Sequence, residues 1–191
     1  MSMIQIILLG ASAFFAFKIY EHVQQLQDKE EDIIEEPLSP QVDIDALVEA
    51  ADKAYDAGNM QEARQLLQEA YDADDTIAEL AKRLGFVLAQ MQQYEEALTL
   101  YNRALELDEE DVTHLAIASV QKNLGNFEAA ERHYERAIAL DDRYEVSYFN
   151  YANLLVDMGK KDEAIKMYEK ALEIAPDLEA AQEELEKLRV S

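Results

Sequence analysis

Residues 145–178 read EVSYFNYANLLVDMGKKDEAIKMYEKALEIAPDL, two apolar-striped segments hinged at Gly159 and closed by Pro176. Tyr148, Tyr151, Ala152 and Leu155 precede the glycine at helical spacing, and Ala164, Tyr168 and Ala171 follow it in the same way. Earlier copies lie at offsets of 34, 33 and 34 residues: Ala164, Ala130, Ala97 and Ala63 form one series, and Ala171, Ala137, Ala104 and Ala70 a second. Tyr168, Tyr134, Tyr101 and Leu67 form a third, while Gly159, Gly125 and Gly58 mark the turns, with Gln92 in the place of the missing glycine. The agreement of these registers divides the chain into copies at 44–77, 78–110, 111–144 and 145–178.

Each residue type has a physical reason to recur. Ala51, Gly85, Ala118 and Ala152, with the two alanine series, suit helices that approach closely. The glycines permit left-handed helix ends. Tyr101, Tyr134 and Tyr168 are large enough to fill the space between copies. A single pair of helices cannot bury its apolar face, so the copies must stack. The stack needs a closing element, and Ala181, Leu185 and Leu188, in line with Leu178 just before them, give residues 179–191 an apolar stripe among charges for that purpose. With only 5 Gly and 3 Pro, the composition agrees with an all-α chain.

The pattern resembles the tetratricopeptide repeat, through Tyr148, Tyr151, Ala152, Leu155, Gly159, Ala164, Tyr168, Ala171 and Pro176 of the last copy. The resemblance implies an α-solenoid of four helix pairs with a C-terminal capping helix. It departs from the family pattern in the small, acidic first helix (Ala50, Ala51, Ala54) and at Gln121, and only the fourth copy retains the terminal proline.

The amino terminus has another composition. Met3 to Phe17 is an apolar run of 15 residues, followed by Lys18, Ile19 and Tyr20. Extended to Tyr20, a helix of about 27 Å would suit a hydrocarbon core of about 30 Å. Residues 1–20 are therefore expected to be a transmembrane anchor, and 21–43 a stalk and charged linker containing Pro37 and Pro40. Lys18 after the span, with no basic side chain before it, favours a cytoplasmic carboxy-terminal part. The alternative is a cleaved signal peptide, since Ala11-Ser12-Ala13 has the form of a cleavage site; Phe14, Phe15 and Phe17 beyond it argue against the cut.

No catalytic constellation is evident, and an enzyme is not expected. Cysteine is absent, which excludes thiol nucleophiles and thiolate metal sites. The balance of 41 acidic against 17 basic residues gives a net charge of −24, which opposes nucleic-acid binding. His114 is expected to be packed, and His133 to lie at the surface without a second metal ligand. Asp72, Asp74, Asp75, Asp108, Glu109, Glu110, Asp111, Asp141 and Asp142 fall where copies meet and are expected to cap helices rather than bind cations. No metal or cofactor is expected.

A binding surface remains. The family resemblance implies that the first helices line a concave groove for peptides. Carried over, its positions are Val48, Asp52 and Tyr55; Lys82, Phe86 and Ala89; Leu115, Ser119 and Lys122; and Phe149, Asn153 and Val156. Of these Tyr55, Lys82, Phe86, Leu115, Lys122, Phe149 and Asn153 are the candidate partner-binding residues. Lys82, Lys122 and Asn153 resemble part of a carboxylate clamp, but Val48 and Asp52 stand where its other members would be, so the full clamp is not expected. An apolar peptide with an acidic group would match Phe86, Leu115 and Phe149 beside the two lysines. The function expected is a membrane-tethered interaction scaffold, bacterial by resemblance, at the inner membrane with its repeats in the cytoplasm. The alternative is a periplasmic or secreted chaperone or assembly factor released by signal cleavage.

Overall fold

In the computed structural model, which describes residues 42–190, nine helices follow one another and no strand occurs among the described residues. They are α1 (Ile44–Asp56), α2 (Met60–Ala73), α3 (Ala78–Gln90), α4 (Tyr94–Leu107), α5 (Asp111–Asn123), α6 (Phe127–Leu140), α7 (Glu145–Asp157), α8 (Lys161–Ile174) and α9 (Glu179–Val190). The first eight form four antiparallel pairs, each a helix of 13 residues followed by one of 14. The fold is a helical solenoid of tetratricopeptide-type pairs.

One turn design is used four times. The N–H groups of Asn59, Gln93, Asn126 and Lys160 donate to the carbonyls of Ala54, Leu88, Gln121 and Leu155, closing each first helix with a Schellman bond. The residue before each donor must then take positive φ. Gly58, Gly125 and Gly159 do so at 73 to 79°, and Gln92 is forced to 62°. Glycine accepts this conformation freely, whereas a side chain is strained by it.

Helix starts depart from expectation. Of α1 to α8 only α1 has a side-chain cap, with Asp43 Oδ1 accepting the Ala46 N–H at 3.0 Å. The acidic residues between copies do not cap the next helix through their side chains. Asp74 and Asp141 instead close turns at the ends of α2 and α6, accepting the N–H groups of Thr76 and Arg143 at 3.0 and 2.9 Å. Each donor lies two positions after its acceptor, the geometry of an Asx turn, so the carboxylates terminate one copy instead of starting the following one. Asp111 still benefits the start of α5 by its charge.

Packing follows the repeat. All eight alanines of the two series have no exposed surface. Tyr101, Tyr134 and Tyr168 are buried, and a Cβ added at Gly85 would lie 3.0 Å from Tyr101 Cε1. Tyr134 of α6 stacks on Tyr151 of α7 with ring centroids 5.9 Å apart, joining the third copy to the fourth. Burial pushes the Tyr134 and Tyr168 hydroxyls up to about 12. Ala181 and Leu185 bury α9 against the core, with Leu178 and Leu188 half-buried beside them.

The first helices also meet across copies: α3 touches α5, and α5 touches α7. They therefore share one face. The expected anchor at 1–20 and residues 21–41 of the expected stalk lie outside the described residues. Among the described residues, no helix is long and apolar enough to cross a membrane.

Candidate functional site

Two clefts lie between successive first helices. The first, of about 400 Å³, includes Tyr55 of α1, Lys82, Arg83 and Phe86 of α3, and Val112 and Thr113 of α5. The second, of about 490 Å³, includes Phe86 and Gln90 of α3, Ser119 and Asn123 of α5, and Val146 and Asn150 of α7. Phe86, Tyr101, Val112 and Ala116 line both, so the clefts join into one groove across all four copies.

Phe86 and Val112 are the apolar landmarks of this groove, 43% and 46% exposed. Phe86 leans on the Tyr55 ring, with centroids 5.5 Å apart. The contact leaves part of the phenyl face open to a ligand.

The basic side chains expected to attract an acidic group already face carboxylates. Lys82 is paired with Glu79 at 2.9 Å and with Glu110 of the α4–α5 turn. Arg83 holds Asp52 at 2.8 Å and Glu79 at 2.7 Å. Lys122 reaches Asp157 of α7 at 3.0 Å and lines neither cleft. Desolvation lowers and these partners raise the Lys82 pKa, and the partners prevail.

The remaining candidates divide. Tyr55, Phe86 and Leu115 line the groove, although Leu115 is only 9% exposed. Phe149 lies outside both clefts, half-buried against Tyr168 at 5.9 Å between ring centroids. Asn153 is also outside them, its amide oxygen accepting the Tyr168 hydroxyl. Counting from the start of each first helix, the positions expected from the family are 5, 9 and 12. From that set the groove keeps Lys82, Phe86 and Ala89 on α3 and Leu115 and Ser119 on α5, and it adds positions 2, 6 and 13: Glu79, Arg83 and Gln90 on α3, then Val112, Ala116 and Asn123 on α5. Positions 2, 6, 9 and 13 form a regular helical stripe, so the lining is wider than the expected one on that side of each helix. Val112 was the one signal in the sequence for this wider lining, an apolar residue off the expected core stripe.

The tetratricopeptide-repeat family model matches residues 76–143 and 112–177, more than half of the chain. The chain belongs to the tetratricopeptide-repeat family. It is 29% identical over 139 residues to the TPR repeat-containing protein YpiA of Bacillus subtilis (strain 168), covering 72% of this chain and 32% of YpiA. It thus spans about a third of the length of that curated relative. Among solved structures, MamA matches with a TM-score of 0.67 at 23% identity, covering 76% of this chain and 80% of that one. The first TPR of Spaghetti (RPAP3), bound to the HSP90 peptide SRMEEVD, matches with a TM-score of 0.56 at 29% identity, covering 59% and 90%. Repeats of this family bind proteins or peptides.

Away from the groove, the tetratricopeptide stack brings together two histidines that are 19 residues apart. His114 of α5 is 7% exposed, and its Nδ1 lies 2.9 Å from Nδ1 of His133 on α6. His133 is half-buried, not a surface residue, because the pairing of α5 with α6 turns it inward. On its other side, His114 Nε2 is 3.2 Å from Glu109 Oε1, and Arg136 grips the same carboxylate with two bonds of 2.9 Å. Arg136 and then His114 hold Glu109 down at about 2. Among the described residues, no group of three histidine, cysteine or carboxylate side chains is arranged to hold a metal.

Proposed function

We propose that this chain is a non-enzymatic interaction module that holds a partner peptide in the groove between its first helices, and that residues 1–20 tether it to a membrane. The observation that carries the reading is the continuous groove with Phe86 and Val112 open at its centre. The peptide bound by the RPAP3 relative supports the same use of the fold. Tethering is supported by the apolar run from Met3 to Phe17, and the cytoplasmic orientation by Lys18 after it. An anchored groove raises the concentration of its partner near the bilayer, so modest affinity suffices.

Phe86→Ala combined with Val112→Ala tests the groove. Both side chains are exposed, so helicity and the melting transition should stay close to those of the parent. Loss of an aromatic anchor costs an interface about 2 kcal/mol, near 30-fold in affinity. Undiminished partner binding by the folded double variant would refute the groove. Deleting residues 1–20 should move the protein from the membrane to the soluble fraction. Intact mass separates the anchor from a cleaved signal, because cleavage would remove about thirteen residues.

A further inference from the structure

We propose that the second cleft selects an extended peptide segment with an uncharged core, and that it excludes acidic segments. This rests on the peptide-binding reading and specifies its ligand. The chain carries a net charge of −24 and 30% charged residues, yet none of the residues lining this cleft is Asp, Glu, Lys, Arg or His. Its walls combine apolar and aromatic surface with four side-chain amides, those of Gln90, Gln92, Asn123 and Asn150. Among the described residues, no other protein group engages any of the four amides. Asn153, one turn beyond Asn150, shows the contrast, since Tyr168 occupies its oxygen.

An unengaged carboxamide offers one acceptor and two donors on the same group. An extended backbone presents alternating N–H and C=O groups that need such partners, whereas a helix satisfies its own. The four amides therefore match an extended segment, and the apolar wall at Phe86, Val112 and Val146 matches its side chains. A carboxylate entering this cleft would lose water and find no cation, because Lys82 and Arg83 are held by Glu79, Glu110 and Asp52 and Lys122 by Asp157. It would also approach against the field of the whole chain. Basic residues flanking an uncharged core are favoured by that field. The preference is thus opposite to that of an acidic ligand such as SRMEEVD.

The test is selection of a displayed library of random decapeptides on the full 191-residue chain, then fluorescence anisotropy on synthetic peptides from the enriched set. Enriched cores should contain two or more large apolar residues and no Asp or Glu. Placing a glutamate in such a core should weaken binding by at least about tenfold, and so should Asn150→Asp in the protein, a near-isosteric change. Enrichment of acidic cores, or binding that Asn150→Asp leaves unchanged, would overturn the charge selection while leaving a peptide-binding groove. Failure to enrich any sequence would overturn the groove reading itself. Self-association of the full chain that Asn150→Asp abolishes would assign the cleft to a second copy, and would likewise overturn the proposal.

Discussion

His114 and His133 face each other with their Nδ1 atoms 2.9 Å apart, so one ring donates and the other accepts. The Nε2–H of His114 points to Glu109, which leaves its Nδ1 as the acceptor of the His133 N–H in the neutral pair. Full protonation of both rings would set two N–H donors against each other, with Arg132 and Arg136 adding positive charge nearby.

Stability should therefore fall as pH falls through the histidine range. Burial, then the charges of His114 and Arg132, hold the His133 pKa below its ordinary value of 6.5. The unfolded chain then binds the proton more readily than the folded one, so this contribution is present above 6.5 and lost below it. The melting temperature should drop between roughly pH 7 and pH 5, and His133→Gln should flatten that slope. Glu109, held at about 2, adds a second loss only below its ordinary 4.5. An unchanged slope in His133→Gln would remove the histidine pair as its source.

Gln92→Gly should stabilise the fold. Gln92 has a positive φ of 62°, where its three counterparts are glycine. A side chain in that region costs about 1–2 kcal/mol, partly offset by the greater unfolded freedom of glycine, for a net gain of about 1 kcal/mol. Gly159→Ala should do the reverse, through φ alone, since nothing lies within 4 Å of its added Cβ. Denaturant midpoints measure both.

Glu131 binds the third copy to the fourth. Its carboxylate accepts the Tyr151 hydroxyl at 3.1 Å and the Lys160 ammonium at 2.8 and 3.0 Å. Glu131→Ala should cost about 2 kcal/mol, and Tyr151→Phe about 1 kcal/mol, by equilibrium unfolding. The two losses should not add in the double variant, because they remove the same bond.

Lys82→Glu should act on the fold before it acts on any ligand. The new carboxylate would face Glu79 and Glu110 at a site where the lysine side chain is 19% exposed. A loss of about 1–3 kcal/mol is expected, partly recovered in high salt. A fully stable variant would mean that the lysine is not held by these carboxylates.

The helix pairs were legible because their cause is local and repeated. Small residues at Ala63, Ala97, Ala130 and Ala164, and glycines at the turns, impose the same packing in each copy. The groove was less legible because its lining depends on how far each first helix is rotated against the next. On α7, Phe149 meets Tyr168 while its neighbour Asn150 lines the cleft. The lysines looked available since their partners from other elements are remote in sequence, Glu110 lying 28 residues beyond Lys82, although Glu79 sits one turn before it. The histidine pair was hidden for the same reason. It forms only when α5 and α6 close on each other.

The most direct measurement is site-specific photocrosslinking in the full chain, with the probe placed in turn at Ser119, at Asn123 and at Thr99. Ser119 and Asn123 are cleft residues, and Thr99 is exposed on α4 outside both clefts. Peptide crosslinks from Ser119 and Asn123, with none from Thr99, are the predicted result. Crosslinks from Thr99 alone would contradict the account and move the partner to the outer face of the repeats.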